Sequence, residues 1–484
     1  MVRNERMKVV VLGAGPAGLC AAWNLVKDGH HVIVLEREPV CGGQAITFEK
    51  DGYRYDLGPH NIHSRHASIT EFLGRNLGDQ FIEWKLRAQL YFHRKRIDYP
   101  LVGLQVLKSL PPLTVVACGI SFFASRVRSL FVPGFRDDGT YERWIVNRFG
   151  RRFYNIFFGP YSQKAWGIKP SELSDVVAIK RVAVRSITEL LLAIVFRKEK
   201  LHLENPRLIK NYYPRCGVGT IIDFFTRDIL RDGGKILTGC EVVKIHLNGN
   251  HIDGLTYRNQ GQEHFLDFAA DHNNWHVLST IPINDMVLMM GDQAPSAAAE
   301  AARGLDFTSE VFLYLNINKP DVFNIPLLYF GELEFPFNRI YDVGLFSRDM
   351  VPPGKNAVCI ELTCGYGDET WRMSADQIFE KCITALEKHH LLQRSQIEGY
   401  HIRRLQHAYP RFRVGYQKKV GNILQFVKGI DNLMTFGRQG LFSYANVDDV
   451  IWMGFEVAKY LRYRDRISLS LNELLPDYVD PNPI

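Results

Sequence analysis

The run Lys8-Val9-Val10-Val11-Leu12 leads directly into Gly13-Ala14-Gly15-Pro16-Ala17-Gly18, and this junction restricts the fold more than any other part of the chain. The spacing Gly-x-Gly-x-x-Gly lies between a strand and a helix predicted over 16–27. A second β-branched run over 31–35 then closes on Glu36. That is the layout of a βαβ unit that cradles an adenine dinucleotide. Gly13 permits the tight turn, Gly15 lets the backbone approach the pyrophosphate, and Gly18 lets the helix lie close on the sheet. Pro16 and Ala17 open the helix, whose free N–H groups and positive dipole end face the phosphates. Glu36, with Arg37 beside it, is placed to accept hydrogen bonds from ribose hydroxyls.

Gly42-Gly43-Gln44 follows shortly after the ribose acid, where the chain must run close beside an extended cofactor. The pair resembles the signature of flavoproteins with two dinucleotide-binding domains, which pass the FAD pyrophosphate there. FAD is therefore expected as the held cofactor, with NAD(P)H left open as an external reductant. The 484 residues, 46% hydrophobic and 23% charged, leave room for two or three domains around a large core. A net charge of +7 agrees with a small anionic substrate. The chain lacks the Lys/Arg runs that nucleic-acid binding would call for.

Eight cysteines show no metal-type spacing; Cys359 and Cys364 fall in an apolar run, so buried free thiols in a reducing compartment are expected, and no metal. The opening residues are charged and run straight into the first strand, which predicts a cytoplasmic protein without a secretory signal. The apolar stretch 111–125 is shorter than the roughly 20 residues that span a bilayer. It is expected as a buried helix, as is 190–196, with weak membrane association left open. Oligomeric state stays open.

The chain divides by pattern into alternating pieces. Residues 1–65 form a first FAD-binding segment, and 66–204, rich in aromatics and arginine, a mostly helical substrate domain. A second FAD segment spans 205–290, where a glycine-broken loop feeds a helix and strand-like runs follow. Residues 291–424 hold the strands of a substrate-domain sheet. A third FAD segment spans 425–465, and a tail 466–484 ends the chain. The expected fold class is α/β: a Rossmann-type FAD domain interleaved with an α+β substrate domain that combines a helical insertion and an antiparallel sheet.

Several blocks in order then resemble the flavin amine oxidase and protoporphyrinogen oxidase clan, and within it the UDP-galactopyranose mutases. The stretch from Tyr55 through His60 to His63 is similar to a mutase Gly-x-His-x-x-His near the flavin. Pro160-Tyr161 to Trp166-Gly167 and then Lys180-Arg181 resemble the mutase substrate-domain helix and its arginine. Phe335 to Arg339 resembles the segment with a second phosphate-binding arginine. Ala408-Tyr409-Pro410 matches a stretch with an active-site tyrosine, and Gly437-Arg438, Tyr444, Asn446, Val447 and Asp448 match the terminal flavin segment.

The resemblance implies that Arg181 and Arg339 clamp a pyrophosphate from opposite walls. A planar, permanently charged guanidinium fork suits that task. It also implies that Val242 and Val243 flank the adenine. His60 and, less directly, His63 would tune protonation near the isoalloxazine, as neutral imidazoles can. Tyr161, Trp166, Tyr409 and Tyr444 are candidates to line a sugar or nucleotide pocket, and Arg438 to stabilise an anionic reduced flavin.

Two reactions are implied. In one, redox-neutral, reduced flavin N5 attacks a sugar's anomeric carbon and expels the nucleoside diphosphate. In the other, hydride passes from an amine, sugar or natural-product intermediate to oxidised FAD. A non-catalytic flavin binder is a third reading, which the histidines and arginines argue against.

Overall fold

The computed structural model describes residues 6–63, 66–99, 105, 109–131, 137–181, 210–268 and 274–463. The stretch 190–196 and the tail 466–484 lie outside these residues. Five parallel strands form one sheet, in the order Lys235–Leu237, His31–Leu35, Lys8–Leu12, Trp275–Ser279 and Leu433–Thr435. Val9 to Leu12 are wholly buried, so both faces of this sheet are covered, which is why the run reads as continuously apolar.

The helices Pro16–Lys27, Gly219–Arg231 and Val447–Tyr463 meet through an aromatic cluster. Trp23 lies 5.2 Å from Phe72 and 6.0 Å from Phe224, and Phe72 lies 5.0 Å from Phe455, ring centre to ring centre. Each such pair adds about 0.5–1.5 kcal/mol beyond its buried area.

A second sheet of seven strands carries the other half of the molecule. Its order is Ile397–Pro410, Phe307–Ile317, Asn356–Cys364, Arg339–Asp342, Leu327–Phe330, Ala88–Phe92 and Lys95–Tyr99. All pairs are antiparallel except Leu327–Phe330 with Ala88–Phe92. Every residue of Phe307–Ile317 is buried, as expected of a central strand covered on both sides.

One expectation changes and another is extended. The described part of 66–204 is mostly helical but also holds the strands Phe81–Trp84, Ala88–Phe92 and Lys95–Tyr99. Phe81–Trp84 pairs with Asn211–Pro214 and Ala88–Phe92 with Leu327–Phe330, so these short strands owe their state to partners far along the chain rather than to local pattern. The apolar stretch near 111–125 is a helix, Pro112–Phe131, but not a buried one: Phe122 is 4% exposed and Phe123 68%.

Candidate active site

The first glycine loop folds as its spacing requires. Gly13 N–H donates to Leu35 O at 2.8 Å, and a Cβ on Gly18 would stand 2.1 Å from Gly13 O, so no side chain fits between loop and helix. Around Gly15 a Cβ would meet nothing within 4 Å; the backbone there faces open space. Gly42 adopts φ +125° and its N–H donates to Ala14 O at 2.8 Å, tying the second glycine pair to the first loop. Glu36 is 7% exposed and accepts from Ala14 N–H at 2.7 Å and Glu38 N–H at 2.9 Å.

A cavity of about 700 Å³ runs from this loop across both sheets. Gly13, Gly15, Pro16, Ala17, Glu36, Arg37, Gly43, Gln44, His60, Gly437, Arg438, Asn446 and Val447 all line it, with Arg339, Tyr409 and Tyr444 of the expected catalytic set. Gln44 is fixed by donating to His407 O at 2.6 Å and Ala408 O at 3.1 Å.

Some expected residues fall elsewhere. Val242 lines the cavity and Val243 does not; neighbouring strand residues point to opposite faces, and the strand Cys240–Asn248 is irregular between Val242 and Lys244. His63 takes a place in the small sheet opposite Asn211, outside the cavity lining. Asp448 is fully buried and also outside it, as are Tyr161 and Trp166; Trp166 instead packs edge-on to Tyr409 at 6.5 Å. Arg181 ends the helix Asp175–Arg181, and its side chain lies outside the described residues.

Arg339 is not the open clamp expected. Its Nε and Nη2 donate to Glu361 Oε2 at 3.0 and 2.6 Å. Strand register explains the contact: Arg339 stands opposite Glu361 and Glu310 opposite Thr363, which puts all four on one face of the seven-stranded sheet. Burial, and then the Glu361 charge, push the Glu310 carboxyl up to about 8, so it holds a proton at neutral pH. Burial also raises Glu361, against the opposing pull of the Arg339 charge and then of its hydrogen bonds.

Neither acid was singled out in the sequence, although both interrupt apolar strands. A carboxylate inside such a run needs a partner, and that was the available signal.

This proton has a measurable consequence. Glu310 is neutral in the fold but ionised in the unfolded chain between its ordinary 4.5 and about 8, so its contribution to stability falls as pH rises through that window. A Glu310→Gln variant lacks this loss. Its melting temperature should gain on the unsubstituted protein steadily across the window, and a pH-independent gap would contradict the assignment.

In the cavity lining Tyr409 and Tyr444 stack at 5.5 Å, nearly parallel at 11°. The Arg438 guanidinium lies 4.4 Å from one ring centre and 4.9 Å from the other, and Nη2 donates to Ala408 O at 3.1 Å. Burial, then the charges of Arg438 and Arg339, hold His60 down at about 4, so its contact with Asp56 at 3.9 Å is not an ion pair at neutral pH.

Within the described protein, His60 Nδ1, Arg438 Nε and Gln439 Oε1 are buried without hydrogen-bond partners. These three cavity-lining residues, together with the open backbone at Gly15 and the carboxylate of Glu36, suit a long polar cofactor such as FAD. At the solvent end Tyr366, 65% exposed, and Trp371 line the cavity with their rings 5.2 Å apart, beside Arg403 and Arg404.

Comparison with known proteins agrees with this geometry. The family described as flavin containing amine oxidoreductase matches residues 16–411. An L-amino-acid oxidase of Bothrops jararacussu is 34% identical over 119 residues, 21% of this chain and 24% of that protein. The match thus spans about a quarter of that relative's length. Among solved structures, a reduced UDP-galactopyranose mutase superposes with a TM-score of 0.78 at 19% identity, covering 94% of each chain. A putative protoporphyrinogen oxidase from Exiguobacterium sp. gives 0.71 at 14% identity, covering 95% of this chain and 99% of the other. At such identities these likenesses speak for the fold.

Proposed function

Because the chain belongs to the flavin-containing amine oxidoreductases and holds FAD, we propose that it acts on an anionic substrate of the nucleotide-sugar kind, by redox-neutral transfer at the flavin. The observation that carries this reading is the charge of the cavity lining around Arg339 and Arg438. Arg339 and Arg438 both line it, while burial holds His60 neutral and raises the carboxyls of Glu310 and Glu361. A protonated amine entering there meets surplus positive charge; a diphosphate is attracted by it.

Bound FAD supplies an N5 atom that accepts hydride when oxidised and is nucleophilic when reduced. The protein's own groups do the rest. Arg438 keeps a fixed positive charge where a reduced, anionic ring gains from it. Glu310 holds a proton for transfer to a substrate oxygen. Tyr409 and Tyr444 offer a flat wall, and Arg403 and Arg404 with Tyr366 and Trp371 offer cations and rings that suit a nucleoside phosphate at the mouth.

The decisive experiment incubates the flavin-loaded protein with UDP-galactopyranose, with and without dithionite. Ring isomerisation only after reduction is expected. Absence of turnover in both states, together with oxygen uptake on an amine, would replace this reading with an oxidase.

A further inference from the structure

The helix Pro112–Phe131 presents two unlike faces. Cys118, Phe122 and Ser125 turn into the protein, none more than 6% exposed. On the other side Leu113, Val116, Ile120, Phe123, Val127 and Phe131 are between 53% and 85% exposed. At ~100° per residue these side chains fall within a stripe about 80° wide that runs ~27 Å along the helix. Single exposed apolar residues are ordinary; a continuous stripe of this length marks an interaction surface.

The charges beside the stripe identify what it meets. Arg126 and Arg128 lie about 100° to either side of it by the same geometry, and the helix carries no Asp or Glu. Exposed Lys95 borders the start of the helix. Exposed Arg152 borders its middle, where the Arg152 N–H donates to Ser121 Oγ at 3.0 Å. No helix among the described residues is long and apolar enough to cross a membrane. An apolar stripe between basic flanks is the pattern of a helix lying in the plane of a membrane interface.

We propose that this face docks on an anionic lipid bilayer, with the apolar stripe at the acyl boundary and the flanking arginines at the headgroups. A second copy seated on the stripe would set like-charged flanks against each other, whereas anionic headgroups complement both flanks. The proposal is independent of the reaction catalysed.

The test is flotation of the full, flavin-loaded chain with phosphatidylcholine vesicles, with and without phosphatidylglycerol. The expected result is strong flotation with the anionic vesicles. It should fall roughly tenfold or more in an Ile120→Glu, Phe123→Glu variant and in high salt for the unsubstituted chain. Arg126→Gln with Arg128→Gln should weaken binding to the anionic vesicles alone.

Three results would overturn the proposal: no flotation, flotation unaffected by the glutamates, or a vesicle-free dimer that the glutamates dissociate. A fourth is a marked drop in the melting temperature of the glutamate variant, which would mean that the chain itself covers the stripe. An unchanged flavin absorbance spectrum confirms that each variant is folded.

Discussion

Arg339→Met should destabilise the protein by about 3–5 kcal/mol, the usual cost of stranding a buried charge. Glu361 is wholly inaccessible, and in the variant neither of the two N–H bonds now reaching its Oε2 remains. Glu310, on the same sheet face, also loses the nearest positive charge that lowers its carboxyl. Both acids then need protons to stay buried, so the variant's deficit should widen as pH rises. Adding Glu361→Gln should recover much of the loss, because the buried charge is then gone with its partner. Denaturant midpoints for the two single variants and the double variant, at two pH values, measure this directly. A single-variant shift below about 1 kcal/mol would show that the pair is not structural.

The second large effect is expected at Arg438. Arg438→Met keeps most of the side-chain volume against Tyr409 and Tyr444 but removes the fixed charge and its hydrogen bond to Ala408 O. Loss of a preorganised charge at a reacting centre typically costs about 10²–10³ in kcat. That fall is expected for turnover by the reduced enzyme, with flavin content nearly unchanged because the glycine loops and Glu36 still hold the nucleotide. A fall of less than about threefold would remove Arg438 from the proposed role.

Most of the cofactor half was legible because its signals are local. Lys8 to Glu36 states a strand, a turn, a helix and a second strand in order, and Gly42-Gly43 and Gly437-Arg438 add contacts at fixed offsets. What escaped depends on partners far along the chain. The strand Ala88–Phe92 exists because Leu327–Phe330 lies beside it. Of the expected pair Val242 and Val243, only Val242 lines the cavity, beside a register irregularity that composition does not reveal. Glu310 and Glu361 became a site only when strand register set them on one face with Arg339. Arg339 itself was recognised as important, but for an open guanidinium that the sheet had already engaged.

The helix Pro16–Lys27, whose first residues line the cavity, has its flank completed by Val447–Tyr463; Cys20 Sγ even donates to Ile451 O at 3.2 Å, across 431 residues of chain. The strand Leu433–Thr435 joins the same sheet from the same late stretch. On a ribosome, then, this βαβ unit emerges about 400 residues ahead of the helix and strand that complete its flank. Until those late partners are made, the apolar flank of the βαβ unit stays uncovered and open to non-native contacts.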